Sequence, residues 1–154
     1  MRITGTLQVE VWRQADGESE GGFETHTVTG VSPQTTVLEL LDLLNEQLFA
    51  EGKEPVAFDS DCREGICGKC GVTVDGVAHG PQLNRASCQQ QVAAFTDGER
   101  VRIEPLRAAA FPVKKDLSVD KKAALRTVVK AAGGPVGMKA LTEAGCISCG
   151  ACVA

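Results

Sequence analysis

The sequence has few aromatic residues and no long apolar run. Aromatic residues make up 4% of the 154 residues, so a core must be built mainly from Val, Leu, Ile and Ala. No stretch approaches the roughly 18 apolar residues that a membrane-spanning helix needs. The start of the chain has no long apolar segment of the kind found in secretory signals. These absences predict a soluble protein with an aliphatic core.

Disulfide bonds cannot account for all the cysteines, because their number, seven, is odd. The cysteines also fall in clusters instead of being spread evenly along the chain. Clustered cysteines are typical of metal ligation in a reducing compartment. We therefore interpret them as metal ligands.

The first cysteine cluster contains Cys62, Cys67 and Cys70, and Cys88 follows as a fourth sulfur. The C-x4-C-x2-C spacing is typical of a plant-type [2Fe–2S] cluster, in which each iron takes two protein thiolates. Glycine tolerates backbone conformations that let a chain wrap closely around a cluster. Three glycines are placed to do so here: Gly65, Gly68 and Gly71.

A structural zinc site is the alternative interpretation of these four cysteines. Zinc also binds four thiolates, but it favours paired C-x2-C segments. Here three neighbouring cysteines are followed by one isolated cysteine, which favours iron–sulfur chemistry. His79 could be a ligand of the Rieske type, but four cysteines already fill both irons, so we assign it no role.

The residues around the first cysteine cluster predict an α+β fold. Alternating apolar residues predict strands over residues 3–13 and 23–31, a hairpin over 71–79 and a last strand within 95–104. Asp75-Gly76 is a favoured type I′ turn pair for that hairpin, and Asp97-Gly98 predicts a turn before the last strand. Residues 36–51 predict the clearest helix, since they open with a capping box. Its core-facing residues recur at helical spacing: Val37, Leu40, Leu41, Leu44 and Leu48.

Charge divides the chain into two parts. Residues 1–106 carry 8 Lys and Arg against 17 Asp and Glu, a net charge of −9, whereas residues 107–154 carry 8 against 3, a net charge of +5. This asymmetry predicts two modules. We expect a cluster-binding domain over residues 1–106, a connecting segment over 107–118 and a partial second domain over 119–154.

The basic second part does not predict nucleic-acid binding. Its lysine pairs, Lys114-Lys115 and Lys121-Lys122, have no interleaved aromatic residues. They indicate a solvated helix face or an acidic protein partner. A short helix is expected over residues 120–132, with Ser118 or Asp120 as its cap, and a further helical turn over 138–144.

A second cysteine cluster lies at the end of the chain. Cys146, Cys149 and Cys152 have C-x2-C-x2-C spacing, which opens the bacterial [4Fe–4S] motif. The sequence stops two residues after Cys152, so this module has no fourth cysteine to complete a cluster. We expect the second motif to be incomplete.

Four segments together resemble the iron–sulfur subunit of succinate dehydrogenase or fumarate reductase. They are Cys62–Cys70, Ile103–Leu106, Phe111–Leu117 and Cys146–Cys152, and they span most of the chain. The resemblance implies a β-grasp [2Fe–2S] domain followed by the start of an α-helical ferredoxin-like domain. Members of this family continue past this point, so we expect a bacterial chain truncated within the second domain, without a [3Fe–4S] site.

The resemblance also implies the ligands of each cluster. The [2Fe–2S] ligands would be Cys62, Cys67, Cys70 and Cys88. Cys146, Cys149 and Cys152 would be three ligands of a [4Fe–4S] cluster, which would form if the missing ligand were supplied from outside this chain.

The implied function is electron transfer without catalysis by this chain. Electrons would pass between an FAD-containing flavoprotein subunit, where succinate or fumarate reacts, and a quinone bound by a cytochrome or membrane-anchor subunit. The protein would be cytoplasmic and peripheral on the inner face of the cell membrane. A free soluble [2Fe–2S] ferredoxin and the zinc module are the alternatives. Arg63 and Lys69 would be either charges that tune the cluster or ordinary exposed residues.

Overall fold

The computed structural model describes residues 5–94, 100–131, 133–134, 139, 146–152 and 154. The strands are β1 (Gly5–Arg13), β2 (Gly22–Val31), β3 (Val72–Val74), β4 (Val77–Ala78), β5 (Arg100–Pro105), β6 (Val113–Lys115) and β7 (Ser118–Val119). The α-helices are α1 (Val37–Ala50) and α2 (Lys122–Ala131), and two 3-10 turns cover Ser87–Gln89 and Val92–Ala94.

Five strands form one mixed sheet in the order β2-β1-β5-β3-β4. Strand β1 pairs antiparallel with β2 and parallel with β5, and β5 pairs antiparallel with β3. The predicted alternation in β1 is confirmed, because Leu7, Val9 and Val11 are all buried. Val101 and Ile103 of β5 face the same core. A half-buried sheet needs a cover on its apolar face.

Helix α1 provides that cover, and its predicted start is confirmed. The hydroxyl of Thr36 accepts a hydrogen bond from the backbone N–H of Glu39, and the Glu39 carboxylate accepts one from the backbone N–H of Thr36. This reciprocal pair is the predicted capping box. All five residues predicted to face the core are buried. The helix ends at Glu51, and Gly52 follows with φ of +70°.

The hairpin of β3 and β4 confirms the predicted turn. Asp75 and Gly76 both have positive φ, +48° and +82°. Two consecutive positive φ values define a type I′ turn, whose twist matches that of the paired strands. The hairpin carries the chain from the first cysteine cluster toward the 3-10 turn that holds Cys88.

The segment expected to be a connector contains a hairpin that joins the core. Strands β6 and β7 pair antiparallel within and just after residues 107–118. Leu117, between them, is 2% exposed and belongs to the main apolar core. Asp116 is equally buried and accepts hydrogen bonds from the backbone N–H groups of Gln14 and Ala57, at 2.9 and 2.8 Å. These contacts hold the segment against the sheet, whereas the domain boundaries themselves stay predictions.

Helix α2 agrees with the predicted second helix and identifies its cap. The carboxylate of Asp120 accepts a hydrogen bond from the backbone N–H of Lys122, whereas Ser118 donates to Asp59. The helix ends at Ala131, and Gly133 and Gly134 lie just beyond it, both with positive φ. The turn expected at Asp97-Gly98, and all of the helical turn expected over 138–144 except Lys139, lie outside the described residues.

The predicted α+β class is confirmed, and the mixed sheet covered by one helix is consistent with a β-grasp domain. The helical second domain stays a prediction. In the part of the chain that the structure describes, neither α-helix has the length and apolar character required to cross a membrane.

Candidate metal centre

The first cysteine loop follows a path that few residue types adopt. Arg63, Gly65 and Gly68 all have φ in the left-handed region, between +55° and +75°. Glycine reaches this region without a steric penalty, which explains two of the three positions. These three residues turn the chain back on itself between Cys62 and Cys70, as the glycine pattern predicts for Gly65 and Gly68. Gly71 does not have positive φ; it allows a close approach instead, because a Cβ there would lie 2.7 Å from the Leu106 side chain.

The turned loop directs backbone N–H groups at the first sulfur. The N–H groups of Glu64 and Ile66 donate to the Cys62 Sγ, at 3.3 and 3.4 Å. Hydrogen bonds to a thiolate stabilise its charged form. Together with Cys67, these donors lower the pKa of Cys62 to about 7. The loop therefore stabilises negative charge on the Cys62 sulfur.

Cys70 and Cys88 lie in a drier environment. Their side chains are 4% and 5% exposed and form an apolar cluster with Leu38 and Ala86. Burial raises the pKa of the Cys70 thiol to about 11, since a lone thiolate would be poorly solvated there. A group that carries its own positive charge to these sulfurs, such as iron, would relieve that penalty.

The shifted pKa values link the four cysteines in two pairs. Cys67 is among the groups that lower the pKa of Cys62, and Cys88 is among the groups that act on the pKa of Cys70. In the described residues, no three His, Cys, Asp or Glu side chains are grouped so that they could hold one metal ion. A binuclear cluster needs two thiolates for each iron, whereas a structural zinc ion needs four donors around one point. Four free cysteine sulfurs are enough to supply two thiolates to each of two irons, so the residues present fit a [2Fe–2S] cluster.

Gln89 is a residue of this site that the sequence analysis did not identify. Its side-chain amide donates to the Arg63 carbonyl at 3.0 Å and lies 3.7 Å from the Cys88 sulfur. It therefore joins the 3-10 turn of Cys88 to the loop of Cys62. The available signal was its position beside the fourth cysteine, but a polar residue there is not specific.

The two cations proposed to tune the cluster each have a carboxylate partner. The Arg63 guanidinium forms a bidentate ion pair with the Asp42 carboxylate, with N–O distances of 2.5 and 3.1 Å. The Lys69 Nζ lies 2.7 Å from the Asp61 Oδ2. These carboxylates raise the pKa of both cations. All four side chains are more than a third exposed. The neighbouring negative charges offset most of the field that either cation could exert on the sulfurs.

His79 lies behind the site and is buried. Its Nδ1 is 3.2 Å from the hydroxyl of Ser87, the residue before Cys88, while its Nε2 has no hydrogen-bond partner among the described residues. Burial lowers the pKa of His79, and the charge of Lys121 lowers it further. Ser87 also accepts a hydrogen bond from the backbone N–H of Val72. His79 thus packs beneath the turn of Cys88 and supports it.

The second cysteine motif is more open than the first. Cys146 and Cys152 are exposed, and Cys149 is partly buried. The motif nevertheless contacts the first loop: a Cβ added at Gly68 would lie 2.1 Å from the carbonyl oxygen of Ile147. The Ile147 side chain also packs against the apolar cluster around Cys70. The two cysteine motifs are therefore adjacent in the fold.

Lys121 corrects one expectation from the sequence. Lys122 is exposed, as a solvated helix face requires, but Lys121 is partly buried. Its ammonium group donates to the carbonyl oxygens of Gly68 and Cys149, at 3.2 and 2.9 Å, and so bridges the two cysteine motifs. Burial lowers the pKa of Lys121, whereas negative charge on Cys149 and other nearby groups raises it. The sequence contained no signal for this position, because the contact depends on how three distant segments pack.

Comparison with known proteins agrees with this geometry. The family model described as a 2Fe-2S iron-sulfur cluster binding domain matches residues 8–126, which is most of the chain. The fumarate reductase iron-sulfur subunit of Wolinella succinogenes is 30% identical over 115 residues, covering 75% of this chain and 42% of that protein. The succinate dehydrogenase iron-sulfur subunit of Bacillus subtilis is 24% identical over 118 residues, covering 75% of this chain and 43% of that protein.

A solved structure, the Mycobacterium smegmatis Sdh1 complex in the apo form, shares the fold. It is 29% identical with a TM-score of 0.58, over 75% of this chain and 42% of the matched chain. The chain thus spans less than half the length of these relatives. The resemblance to succinate dehydrogenase and fumarate reductase subunits is confirmed as a distant relationship.

The family match decides between the two kinds of metal site that the sequence left open. Its description specifies a [2Fe–2S] cofactor, so the zinc alternative is rejected. The residues matched by the family model include most of the sheet, the first cysteine loop, Cys88 and the hairpin of β6 and β7. This chain belongs to the family of 2Fe–2S iron–sulfur cluster binding domains.

Proposed function

We propose that this chain is the electron-transfer iron–sulfur subunit of a succinate- or fumarate-linked oxidoreductase. The proposed [2Fe–2S] ligands are Cys62, Cys67, Cys70 and Cys88. When bound, the cluster accepts and returns one electron. The N–H groups on Cys62 and the apolar cover over Cys70 support this assignment, because both stabilise or shield the sulfurs.

One observation favours an electron relay through two clusters over a free ferredoxin with one cluster. The second cysteine motif packs directly on the first loop at Gly68, and Lys121 hydrogen-bonds to both. A free carrier needs an exposed approach to its one cluster, whereas a relay needs a second redox group close to the first. Cys146, Cys149 and Cys152 are the proposed ligands of that second group.

The proposed partners are a flavoprotein subunit on one side and a quinone-binding membrane-anchor subunit on the other. The whole assembly would lie on the cytoplasmic face of the membrane. The support is the distant relationship to fumarate reductase and succinate dehydrogenase iron-sulfur subunits. The chain itself would bind and position the cluster and dock the partners, and it would perform no bond-making chemistry.

Affinity purification of the tagged chain from its native host tests this proposal. We expect a flavin-containing subunit to co-purify, and succinate to reduce the [2Fe–2S] cluster, as followed by EPR under anaerobic conditions. A control with malonate, a competitive analogue of succinate, should block that reduction. A chain that purifies alone with an intact cluster, which dithionite reduces and succinate does not, would indicate a free ferredoxin instead.

A further inference from the structure

The charges around the first cysteine loop differ in how they are compensated. Arg63 and Lys69 are exposed and each is paired with a carboxylate. Lys121 is partly buried, and in the described part of the chain its ammonium group forms no direct ion pair. Its hydrogen bonds go to two backbone carbonyls. Burial lowers its pKa, while the Asp59 carboxylate acts on it from a longer distance and raises the pKa. A charge held away from water without a paired carboxylate acts more strongly on its surroundings than a paired, solvated one.

The position of Lys121 places that charge beside the first motif as well as beside Cys149 of the second. The carbonyl of Gly68 lies between Cys67 and Cys70, and it accepts a hydrogen bond from the ammonium group. On the other side of Cys70, a Cβ added at Gly71 would lie 3.2 Å from the Lys121 Nζ. The absence of a side chain at Gly71 is therefore part of what lets the ammonium group approach the backbone on both sides of Cys70.

We propose that Lys121 is a positioning residue that raises the reduction potential of the [2Fe–2S] cluster through its buried positive charge. This inference rests on the proposed ligand set of Cys62, Cys67, Cys70 and Cys88. The reduced cluster carries one more negative charge than the oxidised cluster, so a nearby cation stabilises the reduced form. On this proposal the charge of Lys121, and not that of Arg63 or Lys69, has the larger effect on the reduction potential of the cluster.

Four single variants of the full chain separate charge from hydrogen bonding. Lys121→Met removes the charge and the donor, Lys121→Gln removes the charge but keeps an amide donor, and Lys121→Arg keeps both. Lys122→Met is the matched control, because it removes the same charge from the exposed neighbouring position. The midpoint potential of each is measured by EPR-monitored redox titration after anaerobic purification.

We expect Lys121→Met and Lys121→Gln to lower the midpoint potential. At the wild-type midpoint, the ratio of oxidised to reduced cluster should rise about tenfold, which is about 59 mV for one electron. Lys121→Arg and Lys122→Met should stay near the wild type. The EPR line shape of Lys121→Gln should also match the wild type, since the cluster geometry is unchanged.

Two results would overturn the inference while leaving the proposed function in place. One is a wild-type potential in Lys121→Met with an intact EPR signal. The other is a wild-type potential in Lys121→Gln, which would assign the effect to the hydrogen bond. If Lys121→Met does not hold its cluster, the midpoint potentials of Lys121→Gln and Lys121→Arg are compared instead. Equal potentials in these two variants would overturn the role of the charge. A wild-type chain without a [2Fe–2S] signal would instead overturn the proposed ligand set, and this inference with it.

Discussion

The two cysteine motifs use the same ligand chemistry in opposite surroundings. In the first motif, Cys70 and Cys88 are buried and Cys62 receives two backbone N–H donors. In the second motif, Cys146 and Cys152 are exposed. A cluster site needs its ligands held in place before the metal arrives, which takes packing as well as sulfur. The comparison shows that the first motif is built into the sheet domain, whereas the second is attached to it through the Ile147 side chain and through backbone carbonyls that contact Gly68 and Lys121.

The largest effect should come from removing a buried sulfur of the first motif. Cys88→Ala removes one thiolate of the buried pair, so we expect loss of the cluster, its visible colour and its EPR signal. Ile66→Ala is the control in the same loop, because that side chain is 64% exposed and its backbone N–H donor is kept. Iron analysis of both variants checks this. A Cys88→Ala chain with wild-type iron content and EPR signal would contradict the assignment.

The next largest effect should be on stability, and it concerns the hairpin of β6 and β7, which lies between the two cysteine motifs in the sequence. Asp116→Ala removes a buried carboxylate that accepts from the backbone N–H groups of Gln14 and Ala57, and it takes away the nearer of the two carboxylates that pair with Arg13. We expect a loss of about 3 kcal/mol in the free energy of unfolding. Asp120→Ala, which removes one exposed cap at the start of α2, should cost about 1 kcal/mol or less.

Anaerobic urea titrations of the two variants measure both values. Equal, small losses would show that the hairpin is a connector after all, and that the first motif's domain does not depend on it.

Thiol reactivity tests the difference between Cys62 and Cys70 within the first motif. In the cluster-depleted chain, the pKa of Cys62 is about 7 and that of Cys70 about 11. A thiolate reacts with iodoacetamide and a thiol does not, so alkylation of Cys62 should rise as the pH passes through 7. At pH 8, about one Cys70 thiol in a thousand would be ionised, and burial slows it further.

Mass spectrometry of peptides alkylated between pH 6 and 10 gives both profiles. Similar pH profiles for Cys62 and Cys70 would mean that the N–H donors and the apolar cover have no differential effect.

The smallest effect should come from the paired surface cations. Arg63→Gln and Lys69→Gln each remove a charge that a carboxylate already offsets. We expect less than about a twofold change in the redox equilibrium for either variant, against the tenfold change for Lys121→Met. The same EPR-monitored titration measures all three. A tenfold change in the redox equilibrium of Arg63→Gln would show that the charge of Arg63 tunes the cluster.

Local patterns predicted much of this molecule, because their causes lie close together in the sequence. The capping box of α1, the Asp75-Gly76 turn and the wrapped loop at Gly68 are all local. The role of Asp116 depends on backbone donors from two remote segments, so its own neighbours gave no sign of it. The sequence pattern places Lys121 with Lys122 on a solvated helix face or against an acidic partner, because adjacent residues in a sequence cannot reveal which one turns inward.

The most direct test of the account concerns which sulfurs hold the [2Fe–2S] cluster. Cys146, Cys149 and Cys152 are replaced together by serine, and iron, sulfide and the EPR spectrum of the dithionite-reduced chain are measured. We expect about two iron and two sulfide per chain and an S = 1/2 signal identical to the same signal in the wild type. Loss of that signal, with the first four cysteines intact, would contradict the assignment of the cluster to Cys62, Cys67, Cys70 and Cys88.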